Sequence, residues 1–336
     1  MAMRRDSTIF FAASFAGCVV SVACLSAFAA PPDDGSRLVQ ARDTALRIEV
    51  DGVDDPARRA MLVDWAEEAA RATVLPSGRF PLASAQARIV EIDSRDPSPV
   101  PWGQTRRDDD VAVLLFVRRG ADREALRADW TAVHEFAHLA HPYLGDRGRW
   151  LAEGLASYQQ NVLRARAGLT TPEDAWTKLD AGFRRGEAAG DGVPLGRIGH
   201  GRGATMPAST MRVYWAGAAY WLEMDLRLRR EHGSSLQALL DGYARCCLDG
   251  TAHVAPEDFV AALDRVAGTD LFVRRYRDYA AGTTFPSLHD SYAALGIVRD
   301  GDGLRFSDNA AAAALRGAIM ESSGSTLSAR GRTSPR

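Results

Sequence analysis

The pattern of hydrophobic and polar positions predicts a strand-rich first part of the chain. Residues 44–52 and 87–93 contain apolar and polar side chains in alternation, which is typical of strands with one buried face. Residues 111–117, VAVLLFV, are apolar throughout, which indicates a strand buried on both faces. Between the first two strands, residues 56–75 place apolar side chains at helical spacing. We therefore expect a small mixed sheet with one helix over residues 44–120.

From residue 122 onward the apolar side chains recur with the helical period. The polar stretch before residue 111 reads as a loop, although residues 101–105 suit a sheet edge, and residues 196–207 form a glycine-rich loop. Strands followed by helices predict an α+β fold with a mainly helical part over 121–318. The predicted helices are 122–141, 150–168, 172–187, 209–231, 234–247, 256–267 and 269–281.

The two ends of the chain differ in composition from the rest. Arg4 and Arg5 precede an uncharged apolar run over residues 9–30, which ends in small residues of the kind that a signal peptidase cleaves after. We expect a signal peptide over 1–29, and hence a secreted or periplasmic mature protein with no membrane insertion. The alternative is a retained N-terminal membrane anchor, because the run is long enough to span a bilayer.

Two polar segments flank the predicted catalytic domain, which covers residues 44–318. Residues 30–43 are rich in proline and aspartate and are predicted to form a linker. Residues 319–336 are rich in serine, glycine and arginine and are predicted to be a disordered tail.

Charge and cysteine content argue against a nucleic-acid-binding protein and against a protein stabilised by a set of disulfides. The formal net charge of −2 gives no electrostatic footprint for nucleic acid. Outside the apolar run the chain has only Cys246 and Cys247, which are adjacent, so there is no disulfide framework. A disulfide between adjacent cysteines is strained. We therefore expect two small buried thiols on a helix.

The segment HEFAH contains two histidines with the spacing of metal ligands. His134 and His138 lie four residues apart, so on a helix both imidazoles point to one side and can bind one ion. Glu135 follows the first histidine and can act as the general base for a water at that ion. The alternative is a packed helix that happens to contain histidines. Buried histidines need polar partners, however, and a metal supplies one.

A third ligand must come from elsewhere in the chain. His141 lies about 10 Å along the helix from His134, too far to share its ion, and Pro142 stops the helix there. We expect His141 to support the ligands or to face solvent. Glu153, on the next predicted helix, completes a His-His-Glu set and leaves a fourth position for water. On its own, Glu153 reads equally as an ordinary acid in the first turn of a helix.

HEFAH followed by WLAEGLASYQQNVLRARAGL resembles the gluzincin zinc metallopeptidases, and most closely the glycyl aminopeptidase family. The resemblance covers residues 100–245 and implies a thermolysin-like catalytic domain without the family's PDZ domain. It implies one catalytic Zn²⁺ and a peptide or protein substrate. The sequence YWAG also matches a family motif whose tyrosine stabilises the transition state, so Tyr214 is the candidate for that role. The alternative for Tyr214 is an ordinary core tyrosine.

Three departures from the family pattern affect these expectations. Only fourteen residues separate His138 from Glu153, which requires a tight connection. Ser157 stands where some gluzincins place a carboxylate that orients a metal-binding histidine. The segment that often carries an amine-binding glutamate has Gln104 instead. We therefore expect a secreted zinc peptidase in which endo- and aminopeptidase activity are both open.

Two other classes of function remain open. One is a catalytically silent protein that binds zinc or peptides, although a silent descendant has no need of Glu135. The other is a membrane-anchored envelope factor with structural zinc. Such a site normally has four protein ligands, and the sequence offers no fourth.

Overall fold

A computed structural model describes residues 36–190, 192–198 and 209–321. The predicted signal peptide, nearly all of the predicted tail and most of the glycine-rich loop lie outside these described residues. In the described part, no helix is both long enough and apolar enough to cross a membrane.

The first part of the described chain is a five-stranded mixed sheet with the strand order β1-β2-β3-β5-β4. The three inner strands are parallel, and β1 and β4 run antiparallel to them at the two edges. The position of β4 confirms that residues 101–105 lie along a sheet edge. The strands are β1 (Arg37–Ala41), β2 (Thr44–Asp51), β3 (Ser84–Ile92), β4 (Trp102–Arg107) and β5 (Val111–Arg118).

The remaining elements are mainly helical, which confirms the predicted α+β class. The helices are α1 (Pro56–Arg71), within the sheet part, and α2 (Arg123–Ala128), α3 (Thr131–Ala137), α4 (Arg149–Arg166), α5 (Pro172–Glu187), α6 (Thr210–Glu231), α7 (Leu236–Cys246), α8 (Pro256–Ala267), α9 (Leu271–Ala281), α10 (His289–Leu295) and α11 (Ala310–Met320). Single 3₁₀ turns cover His138–Ala140, Asp146–Gly148 and Leu195–Arg197, and a late hairpin joins β6 (Ile297–Asp300) to β7 (Gly303–Phe306).

Two hydrophobic clusters form the core, and α3 and α4 belong to different ones. On α3, Val133 and Phe136 are buried against the sheet and α1. On α4, Trp150, Leu151 and Leu155 are buried among the helices of the second part. The segment that contains HEFAH therefore lies on the boundary between the two clusters, and the predicted zinc ligands come from both sides of it.

Helices α4 and α6 touch through backbone atoms at a pair of glycines. A Cβ atom on Gly154 would lie 2.3 Å from the carbonyl carbon of Gly217, and one on Gly217 would lie 2.0 Å from the carbonyl oxygen of Trp150. Only hydrogen fits at either position, because real Cβ contacts are much longer. This contact places Glu153, next to Gly154, and Tyr214, one turn before Gly217, on adjoining helices.

The single helix predicted over residues 122–141 is wrong, because the structure breaks it after Ala128. Asp129 adopts an extended conformation, and its carboxylate accepts a hydrogen bond of 2.7 Å from the backbone of Thr131 at the start of α3. The Arg164 guanidinium donates to the carbonyls of Arg127 and Ala128 at the end of α2. Both termini are thus satisfied by side chains, which a periodicity analysis does not detect.

Three other local predictions also differ from the structure. Residues 37–41, expected in a linker, pair with β2 as β1. The β6–β7 hairpin lies in the part that was expected to be helical, with Gly301 at φ 57° in its turn. Cys246 and Cys247 are exposed and form a disulfide with each other, because the chain leaves the helical conformation at Cys247. The expectation of two buried thiols is therefore wrong.

We expect Gly217→Ala to lower the free energy of unfolding by about 1–3 kcal/mol or more, because the new methyl group meets backbone atoms that cannot rotate away. Urea denaturation of both proteins measures the change. Gly317→Ala is the matched control. Its Cβ meets only the flexible Glu321 carboxylate at 3.3 Å, so helix propensity should raise stability by up to about 1 kcal/mol. Equal stability of Gly217→Ala and the parent protein would show that the crossing tolerates a side chain.

Candidate metal centre

The three predicted zinc ligands converge in the structure. The Nε2 atoms of His134 and His138 lie 3.4 and 3.7 Å from one carboxylate oxygen of Glu153. One ligand atom from each residue lies within 4.8 Å of the others. Donors about 2.0–2.1 Å from a tetrahedral ion stand about 3.4 Å apart, so this set needs little adjustment to bind one Zn²⁺.

The His138 imidazole is held in one tautomer by His141. His141 Nδ1 lies 2.7 Å from the carbonyl oxygen of Pro142, which only accepts, so this nitrogen is the donor. Burial, followed by the neighbouring His138 and Arg107, holds the pKa of His141 well below its ordinary value, so its Nε2 is free to accept. His138 Nδ1, 2.9 Å away, donates to it. The lone pair of His138 Nε2 therefore faces Glu153.

The His134 imidazole is held in the same way by Gln160. Its Nδ1 donates to the side-chain oxygen of Gln160 at 2.8 Å, which directs the Nε2 lone pair towards Glu153. Gln160 lies two turns after Glu153 on the same face of α4. Ser157 has no carboxylate with which to orient His134, and Gln160 orients this histidine instead. The sequence analysis missed Gln160, although its spacing from Glu153 was a usable signal.

The electrostatics of the cluster favour a cation at its centre. Burial alone would raise the pKa of Glu153, but His134 and His138, when they also carry protons on Nε2, hold it well below the ordinary value. Burial likewise would lower the pKa of His134, but Glu153 and the charge of Glu135 raise it. A metal ion would take the place of those Nε2 protons, and one carboxylate with two imidazole nitrogens is a ligand set that suits zinc.

Glu135 is not among the converging ligands and is held by the edge strand β4. Glu135 is 8% exposed, and the Thr105 hydroxyl shares its one proton between the Glu135 backbone carbonyl at 2.9 Å and one carboxylate oxygen at 3.1 Å. Gly103 leaves the space beside it, because a Cβ there would lie 2.5 Å from Glu135 Cγ. The edge strand thus holds the carboxylate close enough to His134 for its charge to raise the pKa of that imidazole.

Two aromatic residues border the cluster. The Tyr214 ring stacks on His134 with a centroid distance of 6.2 Å, and its pKa is raised by burial and by the charge of Glu153. The Tyr214 hydroxyl therefore stays protonated and can act as a hydrogen-bond donor. The Trp130 ring meets His134 edge-on at 5.4 Å and is 45% exposed, so it offers an apolar surface at the site.

The side chains of β4 alternate between two environments. Trp102, Gln104 and Arg106 are exposed, and Arg106 pairs with Asp108. Arg107 points inward and donates to the carbonyls of His138 and His141 at 2.5 and 2.7 Å. Burial lowers the pKa of Arg107 to about 10. These bonds tie the end of HEFAH to the sheet.

Comparison with known proteins supports the fold. No protein-family model matches the sequence, and no curated protein matches it. An aminopeptidase N family protein from Idiomarina loihiensis is similar in structure, with a TM-score of 0.55 and 15% sequence identity. The match covers 78% of this chain and 49% of that protein, so this chain spans about half of its length.

Other similar structures have lower scores. An M1 zinc metallopeptidase from Deinococcus radiodurans matches with a TM-score of 0.44 and 17% identity, over 75% of this chain and 52% of that one. Native yeast LTA4 hydrolase matches with a TM-score of 0.43 and 11% identity, over 75% and 40%. This chain shares the fold of the matched part of the Idiomarina protein, which agrees with the fold that the resemblance in sequence implied.

We expect a graded loss of zinc binding across a set of variants. His138→Ala should lose most of the metal and Glu153→Ala should bind it more weakly. His141→Phe should weaken binding by about 10–100-fold, because the imidazole of His138 loses its partner. Competition with a chromogenic chelator measures the affinities. His232→Phe, an exposed histidine outside the cluster, is the control. Equal zinc content in the parent protein and in His138→Ala would contradict the site.

Proposed function

We propose that this protein is a zinc-dependent peptidase that is secreted after removal of residues 1–29. The observation that carries the proposal is the convergence of His134, His138 and Glu153 beside the buried carboxylate of Glu135. A site that only binds a metal ion needs no side chains other than the metal ligands. A carboxylate that is buried but does not converge with them is typical of a site that moves protons.

The metal is proposed to be one Zn²⁺ held by His134, His138 and Glu153. When bound, it would polarise the scissile carbonyl and make a water more acidic. The tautomers fixed by His141 and Gln160 present both imidazole lone pairs to it. This support keeps the donors in place before the ion arrives.

Glu135 is proposed as the general base and then the general acid. The Thr105 hydroxyl contacts one of its carboxylate oxygens, and the other oxygen can accept a proton from the attacking water. The same carboxyl group then gives that proton to the leaving amine of the substrate. Its burial keeps bulk water from competing for the proton.

Tyr214 is proposed as the hydrogen-bond donor to the oxyanion of the tetrahedral intermediate. A buried phenol with a raised pKa stays protonated at neutral pH and can donate without giving up its proton. A preorganised donor next to the reacting carbon stabilises developing negative charge more than water does. The Gly154–Gly217 contact brings this hydroxyl to the ligand side of α4.

The substrate is proposed to bind as an extended strand along β4. Among the described residues this strand lies at the end of the sheet and pairs only with β5. A peptide that adds to its free edge runs past Gly103 and Thr105, the two residues that contact Glu135. The scissile bond would thus lie beside the general base.

Binding and chemistry can be separated by two variants. Glu135→Gln should retain zinc and lose turnover, because an amide does not accept the proton. Tyr214→Phe should retain zinc and lower kcat by about a hundredfold or more, the usual effect of one oxyanion donor. Hydrolysis of a generic peptide mixture with and without chelator gives the rates. If the parent protein binds zinc and cleaves no peptide, the silent zinc- or peptide-binding protein becomes the better account. Unfolding of Tyr214→Phe would indicate a core tyrosine.

We expect cleavage to continue when the substrate's N-terminus is acetylated. Gln104 offers no charge to hold an ammonium group, while Arg106 is paired and Arg107 is bonded to carbonyls. Matched free and acetylated peptides compared by mass spectrometry decide the question. Release of single residues from the free-amine peptide alone would instead show an aminopeptidase.

A further inference from the structure

Arg149 is a buried cation at the edge of the proposed active site. It opens α4, one helical turn before Glu153, so both side chains leave the same face of the helix. Arg149 is only 8% exposed. Its guanidinium carbon lies 5.7 Å from the centre of the Tyr214 ring, the proposed oxyanion donor. The guanidinium is therefore close enough to the proposed reaction site for a side chain of the substrate to reach it.

The charge of Arg149 has no acidic partner in the described residues. It forms no ion pair there, and its buried Nε has no hydrogen-bond partner, although the guanidinium interacts with the Tyr214 side chain. Arg107, a half-buried arginine near the site, is bonded to three backbone carbonyls. A buried guanidinium without an anion is costly, so a ligand that supplies a carboxylate would stabilise it.

The charges of the site also leave the positive charge of Arg149 without a compensating negative charge. Glu135 and Glu153 contribute two negative charges, which a divalent metal ion would offset. The positive charge of Arg149 then stands uncompensated beside the scissile bond. Guanidinium groups bind carboxylates through two parallel hydrogen bonds, and a peptide has carboxylates only at its C-terminus and on Asp or Glu side chains.

We propose that Arg149 binds a substrate carboxylate, so that the protein prefers peptides with an acidic group near the cleaved bond. The proposal rests on the proposed peptidase function and names its substrate class. Arg149 acts as a specificity residue, since it recognises a group that does not react. Either a C-terminal carboxylate or an acidic side chain supplies the same chemistry.

The first test compares acetylated peptides that differ by one charge. One series moves a single Glu or Gln through each position, and a second pairs a C-terminal acid with its amide. We expect kcat/KM to favour the acidic member at one position, or the free C-terminus, by about tenfold or more. The series that shows the effect identifies the source of the carboxylate. Equal rates for every pair would overturn the proposal and leave the peptidase function intact.

The second test assigns that preference to Arg149. Arg149→Gln should bring the ratio of the two rates to about one. Arg149→Lys should retain part of the preference, because lysine keeps the positive charge but has no pair of parallel N–H donors. Arg185→Gln, which removes an exposed arginine stacked on Trp215, should leave the ratio unchanged. If Arg149→Gln slows acidic and neutral peptides equally, Arg149 acts on the oxyanion or on folding, and the proposal fails.

A binding measurement separates this inference from catalysis. In a Glu135→Gln background, calorimetry compares the affinity for the acidic and the neutral peptide with and without Arg149→Gln. Tighter binding of the acidic peptide that depends on Arg149 supports the inference even if the parent protein hydrolyses nothing. If Arg149→Gln does not fold, Arg149→Lys takes its place. Equal affinity for both peptides in the Glu135→Gln protein overturns the inference.

Discussion

The backbone contact between Gly154 and Gly217 is the constraint on which the rest of the site depends. Helices α4 and α6 each contribute one functional side chain, Glu153 and Tyr214, and both lie within one turn of the contact. Larger residues at the crossing would separate the two helix axes, since packed helices are spaced by the side chains between them. Tyr214, the proposed oxyanion donor, would then move away from Glu153. The two glycines therefore set the distance between these two side chains through main-chain packing.

A second constraint comes from the sheet, which holds α3 from the other side. The edge strand β4 contacts Glu135 through Gly103 and Thr105, and through Arg107 it binds the carbonyls at the end of HEFAH. The metal-binding histidines are thus fixed between a sheet and a helical bundle with separate cores. Geometry of this kind holds the ligands in place without the ion, which lowers the cost of binding it.

The sequence predicted the features that depend on local period and spacing. These include the order of sheet and helices, and the placing of HEFAH and Glu153 on neighbouring segments. It did not predict features that arise from distant contacts. The break after Ala128 depends on Arg164, and the strand at residues 37–41 forms only because β2 is available to pair with it. The partnership of His134 with Gln160 likewise requires α3 and α4 to be packed together.

The described site contains two buried charged groups without ion pairs, Glu135 and Arg149. Neither is needed to hold a metal, and each costs stability that an apolar residue of similar size would not. Buried charges without ion pairs are expected at functional sites, where stability is given up for activity. A structural zinc site has no use for either group. Their presence at one site favours a site built to move a proton and to recognise a charged substrate.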